Sequence, residues 1–139
     1  MGDEGHWQLR LPTEWEWQWA AQAGQEARKY PWGEWDDQPR ANTTEAGIND
    51  RSTAVGMYPQ GAATCGALDL SGNLFEWCQN EHKEWHVVDG FASGNRKVLR
   101  GGSFFNEMLF AAASFRDFND PLSGLNDFGL RLVLSRPIY

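Results

Sequence analysis

The stretch RLPTEWEWQWAAQAG occupies residues 10–24. Pro12 ends whatever precedes it, because its ring blocks φ and removes a donor. Thr13 stands three residues before Glu16, so its hydroxyl can accept from the Glu16 amide while the Glu16 carboxylate returns to the Thr13 amide. That is a capping box, and it predicts a helix running to about Ala23, with Gly24 as its stop. The apolar face is expected to carry Trp15 and Trp19, with Ala20 and Ala23. Before the proline, Trp7, Leu9 and Leu11 alternate with Gln8 and Arg10, the period of a half-buried strand.

Beyond the helix, Tyr30 to Gly66 is rich in Gly, Pro, Asn, Asp and Thr, and only Ala54–Met57 has strand character. So long a loop region calls for another organiser, either buried Trp32 and Trp35 or a bound ion. Asp69–Cys78 condenses polar and aromatic residues into one turn. Val98–Leu99 reads as a strand entering Gly101 and Gly102, and Phe128–Leu134 as a closing strand.

The 139 residues fit one domain, taken as 1–139. Twelve Lys and Arg against nineteen Asp and Glu give a net charge of -7, which argues against a nucleic-acid groove. No apolar run approaches the roughly 18 residues of a membrane span, and Met1–Arg10 lacks the apolar stretch of a signal peptide. Cys65 and Cys78 are too few for a disulfide framework and carry little information about compartment. Eight Trp and eight Phe exceed what one small core usually absorbs, so some are expected at the surface.

Five motifs now stand in order: RLPTEWEW (10–17), YPWG (30–33), LDLSGNLFEW (68–77), VLRGGSF (98–104) and DFGLRLV (127–133). Together they resemble the landmarks of the formylglycine-generating-enzyme, or sulfatase-modifying-factor, domain. The resemblance implies an α+β fold, a C-type-lectin-like variant. Its N- and C-terminal strands pair, and long irregular loops cover a small antiparallel sheet with one or two helices. The chain is shorter than the enzymes and is similar in size to the minimal units used as variable proteins of diversity-generating retroelements. In those proteins the stretch beginning near GGS is rewritten by adenine-directed mutagenesis.

In the enzymes, a cysteine pair after RGGS binds copper. At the matching places this chain has Asn106 and Ala111, neither a soft ligand, so no copper is expected. A related branch uses a His-rich iron site. Here His82 and His86, four apart, would share a helix face, but no third His accompanies them. The resemblance also implies a structural Ca²⁺ in the LSGN turn. Asp69 and Glu76 supply hard oxygens and Gly72 and Leu74 supply carbonyls, a mixture suited to that ion. The alternative is that both carboxylates only accept hydrogen bonds from turn amides. A weaker ion site near Asn42, Thr43 and Asp50 is conceivable.

Residues 98–134 form the expected variable, ligand-binding region. Its apolar residues share no helical or strand period. Changing only the adenines of an Asn codon yields Phe, Leu, Asp, Ser, Ala and Gly, the types that dominate here, whereas Glu107 and Met108 lie outside that set. Candidate ligand contacts are Phe104, Phe105, Asn106, Leu109, Phe110, Phe115, Asp117, Phe118, Asp120, Leu122, Leu125 and Asp127, with Phe104 equally readable as core. The leading expectation is a non-enzymatic binding protein that offers a variable, aromatic and acidic surface to a protein ligand. The alternatives are a formylglycine-generating-like oxidoreductase or pseudo-enzyme domain, and a calcium-dependent lectin.

Overall fold

The computed structural model describes residues 6–48, 50–88 and 93–137. The first strand, β1 (Gln8–Arg10), lies antiparallel to the last, β6 (Val133–Ser135), with Leu9 opposite Leu134. The chain ends therefore meet, as the resemblance implied. The alternation at the N-terminus does not bury its apolar side, however. Trp7, Leu9 and Leu134 are each about two-thirds exposed, because a two-stranded ribbon has no layer packed on that face.

Helix α1 (Glu14–Ala21) starts with the expected capping box: Glu16 N–H donates to Thr13 Oγ1 and Thr13 N–H to Glu16 Oε2. Arg10 grips the same Glu16 through both carboxylate oxygens, at 2.7 and 2.8 Å. The buried face corrects the sequence expectation. Glu14, Trp17 and Ala21 face inward, while Trp15 and Trp19 remain 44% and 57% exposed. A hydropathy pattern cannot place Glu14 inside, since its burial depends on Arg100 and Arg116, far along the chain, which both donate to its carboxylate. Paired in this way, a carboxylate can be buried without an uncompensated charge. The helix also stops before Gly24, with Ala23 in the left-handed region.

The main sheet has four strands: β2 (Phe75–Glu81), β3 (Lys97–Arg100), β4 (Asp117–Asn119) and β5 (Phe128–Gly129), in the order β4-β3-β2-β5. The pairs β2·β3 and β3·β4 are antiparallel and β2·β5 is parallel, so the sheet is mixed. Asp69–Cys78 is thus a turn followed by most of a central strand. The expected closing strand Phe128–Leu134 divides between two sheets, as β5 and β6. Ala54–Met57 is a turn, not a strand.

Trp17, Leu70, Cys78, Val98 and Ala113 form the core between α1 and the sheet. A second cluster, Tyr30, Ala111 and Ala112, is flanked by Trp32, Trp35, Met108 and Phe115. Tyr30, Trp32 and Trp35 sit 5.2–5.6 Å apart between ring centroids. This aromatic trio is the organiser of the loop region that the sequence called for.

Candidate ligand-binding surface

The chain after β3 turns sharply at Gly101 and Gly102, both with positive φ. A Cβ on Gly102 would lie 2.8 Å from the Phe110 carbonyl oxygen, so only glycine lets the segment fold back this tightly. Ser103, fully buried, then closes the turn. Asn106 Oδ1 accepts from the Ser103 amide, and the single proton of the Ser103 hydroxyl is shared between Asp127 Oδ2 at 2.8 Å and Asn106 Oδ1 at 2.9 Å.

From there to Phe115 the main chain is held to the scaffold at successive points. Thr44 N–H donates to Asn106 O, Met108 N–H to Glu45 Oε1, and the Tyr30 hydroxyl to Met108 O. The Ser71 hydroxyl donates to Ala111 O, Ala113 N–H to Lys29 O, and Arg100 to the carbonyls of Ala113 and Phe115. Burial draws Arg100 below its ordinary pKa against the pull of Glu14. A serine, a tyrosine and an arginine from three other parts of the chain thereby fix a loop that has no regular secondary structure beyond one short 3₁₀ turn.

Side chains on this fixed backbone divide into two sets. Phe105, Leu109 and Phe110 are 50%, 57% and 40% exposed, and in the later turn Leu122 and Leu125 are 93% and 54% exposed. Asp120, also exposed, accepts from Leu122 N–H and so shapes that turn. The other set is spent inside. Phe104 is 1% exposed and packs as core, which corrects its assignment as a ligand contact. Asp127 is corrected as well: it is buried, holds Ser103, and its carbonyl accepts from Phe75 N–H. Asn106 uses its side-chain oxygen on the Ser103 turn.

Three of the expected contacts are half-buried. Phe115 stands edge-on to Phe110 at 5.1 Å and packs on the Tyr30 cluster. Phe118 stacks on His82 and lies beneath Arg96. Asp117 accepts from the Phe118 amide. His82 and His86 occupy a bend and a turn, so they share no helix face.

The turn proposed for calcium spends its charge elsewhere. Glu76 accepts from Arg131 at 2.6 and 2.7 Å and from the Trp17 indole at 2.7 Å, and Asp69 Oδ2 accepts from Gly56 N–H at 2.7 Å. Burial opposes the Arg131 charge, but Glu76 more than offsets it and raises that pKa. A dication drawn to Glu76 would meet a guanidinium already in bidentate contact, so the set Asp69, Gly72, Leu74 and Glu76 does not fit Ca²⁺ in this arrangement. Near the weaker site, the Asn42 amide nitrogen donates to Asn73 Oδ1, which also accepts from the Thr53 amide, whereas Asn42 Oδ1 is buried without a hydrogen-bond partner among the described residues. Nor do the residues after RGGS fit copper. Cys65 is exposed in a loop and Cys78 is buried in β2, where burial raises its thiol pKa far above the ordinary range. Among the described residues no three His, Cys, Asp or Glu are grouped to hold a metal.

Residues 3–136 match the family described as the sulfatase-modifying factor enzyme 1-like domain. The chain belongs to this family. The solved structure of Treponema denticola variable protein 1 has a TM-score of 0.75 and 31% identity, covering 93% of this chain and 48% of that one. Both parts of the resemblance, the family and the likeness to a variable protein, are therefore borne out, as is the lectin-like α+β fold class. Hercynine oxygenase of Mycolicibacterium thermoresistibile is 34% identical over 89% of this chain and 31% of that protein. Formylglycine-generating enzyme of Streptomyces coelicolor is 32% identical over 88% of this chain and 45% of that protein. These relatives overturn the expectation that the chain stands apart from enzymes, because proteins a third identical to this family member carry enzyme names. The chain spans about a third to a half of the length of these relatives.

Proposed function

We propose that this domain binds a protein ligand through Phe105, Leu109, Phe110, Leu122 and Leu125, on a segment of the kind diversified in retroelement variable proteins. The observation that carries the reading is the division within residues 103–115. The main chain is hydrogen-bonded to scaffold elements at successive points, while large apolar side chains face solvent. Such a loop loses little entropy when it binds, and aromatic anchors on a rigid frame give large contact area per ordered side chain. Because the fixing bonds are made largely by backbone atoms of the segment, its exposed side chains can change without loosening the loop.

A library with residues 105, 109, 110, 122 and 125 randomised, selected against hen lysozyme as an unrelated target, should give folded, specific binders. A library that is mostly unfolded, or that yields none, would defeat the proposal. In the genome of origin, an adenine-rich second copy of the codons for 98–134 beside a reverse-transcriptase gene would establish the diversification directly. The enzyme names among the relatives favour a second reading, an oxidoreductase using ligands other than a thiolate pair after RGGS. Turnover of a cysteine-containing sulfatase peptide that depends on Cys65 or Cys78 would favour that reading instead.

A further inference from the structure

Outside the 98–134 segment, a cavity of about 380 Å³ opens between Trp35–Ala41, Glu45–Ala46 and Tyr58. That volume lies in the range of pockets that enclose small ligands. Three carboxylates line it, Asp36, Asp37 and Glu45, and no cationic side chain does. Asp36 is matched from outside by Arg40, at 2.7 Å. Asp37 makes no ion pair among the described residues. Burial works against the Glu45 charge, but the Met108 N–H and neighbouring donors outweigh it, and its pKa falls below the ordinary value.

The aromatic members add an independent observation. Tyr58 is nine-tenths buried and lines the cavity, yet its hydroxyl makes no hydrogen bond among the described residues. The hydroxyl is not enclosed, and it reaches the cavity, where a ligand can meet it. Trp35, on the opposite side in sequence, is braced by Tyr30 and Trp32 and is held in place before any ligand arrives. An aromatic ring, an unpartnered phenol oxygen and two exposed carboxylates without an ion pair among the described residues, Asp37 and Glu45, make a site for a cation that carries N–H donors and an apolar stem. A guanidinium or alkylammonium satisfies the carboxylates and the phenol by hydrogen bonds and the indole by cation–π contact.

We propose that this cavity binds the guanidinium or primary ammonium of an organic cation, supplied either by an Arg or Lys side chain of a protein or by a free polyamine. This goes beyond the function proposed above, since Trp35, Asp37 and Tyr58 all lie outside the displayed segment. The two are nevertheless neighbours: Glu45, in the cavity wall, also accepts from the Met108 amide at the base of the Leu109–Phe110 turn, at 2.9 Å.

The test is an NMR titration of the ¹⁵N-labelled chain. The probes are N-acetyl-arginine methylamide, N-acetyl-lysine methylamide and spermidine, with N-acetyl-norleucine methylamide and calcium chloride as controls. The cations should produce saturable shifts of the Trp35 indole and of the Asp37 and Glu45 amides, and the neutral norleucine probe should not. Tighter binding of the capped amino acids than of spermidine identifies a protein side chain as the source, and the reverse order identifies a polyamine. Asp37→Asn and Tyr58→Phe should each weaken binding several-fold in a protein whose other resonances are unmoved. Phe105→Ser should leave the titration unchanged, so a failure of the displayed-surface proposal leaves this one standing. No saturation by about 10 mM, a free energy too small for a built site, would overturn it. Equal shifts with norleucine, or saturation of the same resonances by calcium, would overturn it too.

Discussion

The LSGNLFEW stretch, a turn that runs into β2, and the GGSFFNEMLF segment, a turn that leaves β3, both fold around positive-φ glycines, yet they use their residues in opposite ways. In the first, side chains are consumed internally: Glu76 by Arg131 and Trp17, Asp69 by Gly56, and Asn73 by Asn42 and Thr53. In the second, it is mostly the backbone that is consumed, and side chains such as Phe105 and Leu109 are left over. A motif of the first kind tolerates little substitution. A motif of the second kind can vary its surface at small cost, which is what a diversified binding loop requires.

The contrast breaks most visibly at Glu76. Removing one member of a buried pair leaves the other charge without a partner, so Glu76→Ala should cost about 3–5 kcal/mol by denaturant unfolding. Replacing both Glu76 and Arg131 by Met should cost less than that single change, because no charge is then stranded. Equal losses would show that the turn depends on something other than this pair. Gly72 offers a second break in the same turn. Its φ is +74°, and a Cβ would sit 2.5 Å from the Asn42 carbonyl oxygen, so Gly72→Ala must displace backbone.

Within the second motif, adjacent phenylalanines sharpen the comparison. Phe104, 1% exposed, should cost about 3–5 kcal/mol when truncated to Ala. A loss below about 1 kcal/mol would mean that the fold at GGS is looser than its hydrogen bonds indicate. Phe115, half-buried against the Tyr30 cluster, should fall between Phe104 and Phe105.

What the sequence revealed follows the range of the interactions involved. The capping box at Thr13 and Glu16 was legible because both partners lie within three residues. The pairing of the terminal strands was legible through the resemblance, and the order of the motifs carried the family. The inward face of α1 was not legible, because Glu14 is buried by arginines found 86 and 102 residues later. Nor was the fate of Glu76, since a carboxylate in a turn reads as a metal ligand until Arg131 is seen against it. Phe104 and Phe105 are indistinguishable as letters, and only the course of the backbone after Gly102 sends one inward and the other out. The acidic cavity at Tyr58 had no sequence signal, since its walls come from three pieces of the loop region that share no motif or period.

The cap itself supplies an intermediate effect. Thr13→Ala removes the hydroxyl that accepts the Glu16 amide and should cost about 1 kcal/mol, measured by thermal or denaturant unfolding. The Glu16 carboxyl is held below its ordinary pKa, first by the Arg10 hydrogen bonds, against burial. A carboxyl depressed in the folded state contributes stability above its unfolded value, and that contribution is lost as pH falls through the folded value. Glu16→Gln should therefore flatten the acid limb of the stability curve below about pH 5, by under about 1 kcal/mol because the pair is part exposed. An unchanged acid limb would place the titration elsewhere.

The smallest expected effect is the one on which the displayed-surface reading depends. Leu122 is 93% exposed and Phe105 is 50% exposed, so neither buries enough area for its removal to open a cavity. Leu122→Ser should change unfolding free energy by no more than about 0.5 kcal/mol, the range of surface substitutions. Phe105 touches Phe104, with ring centroids 4.3 Å apart, so Phe105→Ser can cost somewhat more, up to about 1 kcal/mol. The same two changes should alter binding of any selected ligand, because a few exposed apolar anchors usually carry most of an interface's energy. Stability and binding must therefore separate at these positions. If Phe105→Ser costs about as much as Phe104→Ala, the two rings act as one core element, and residues 103–115 belong with the LSGNLFEW turn as structure.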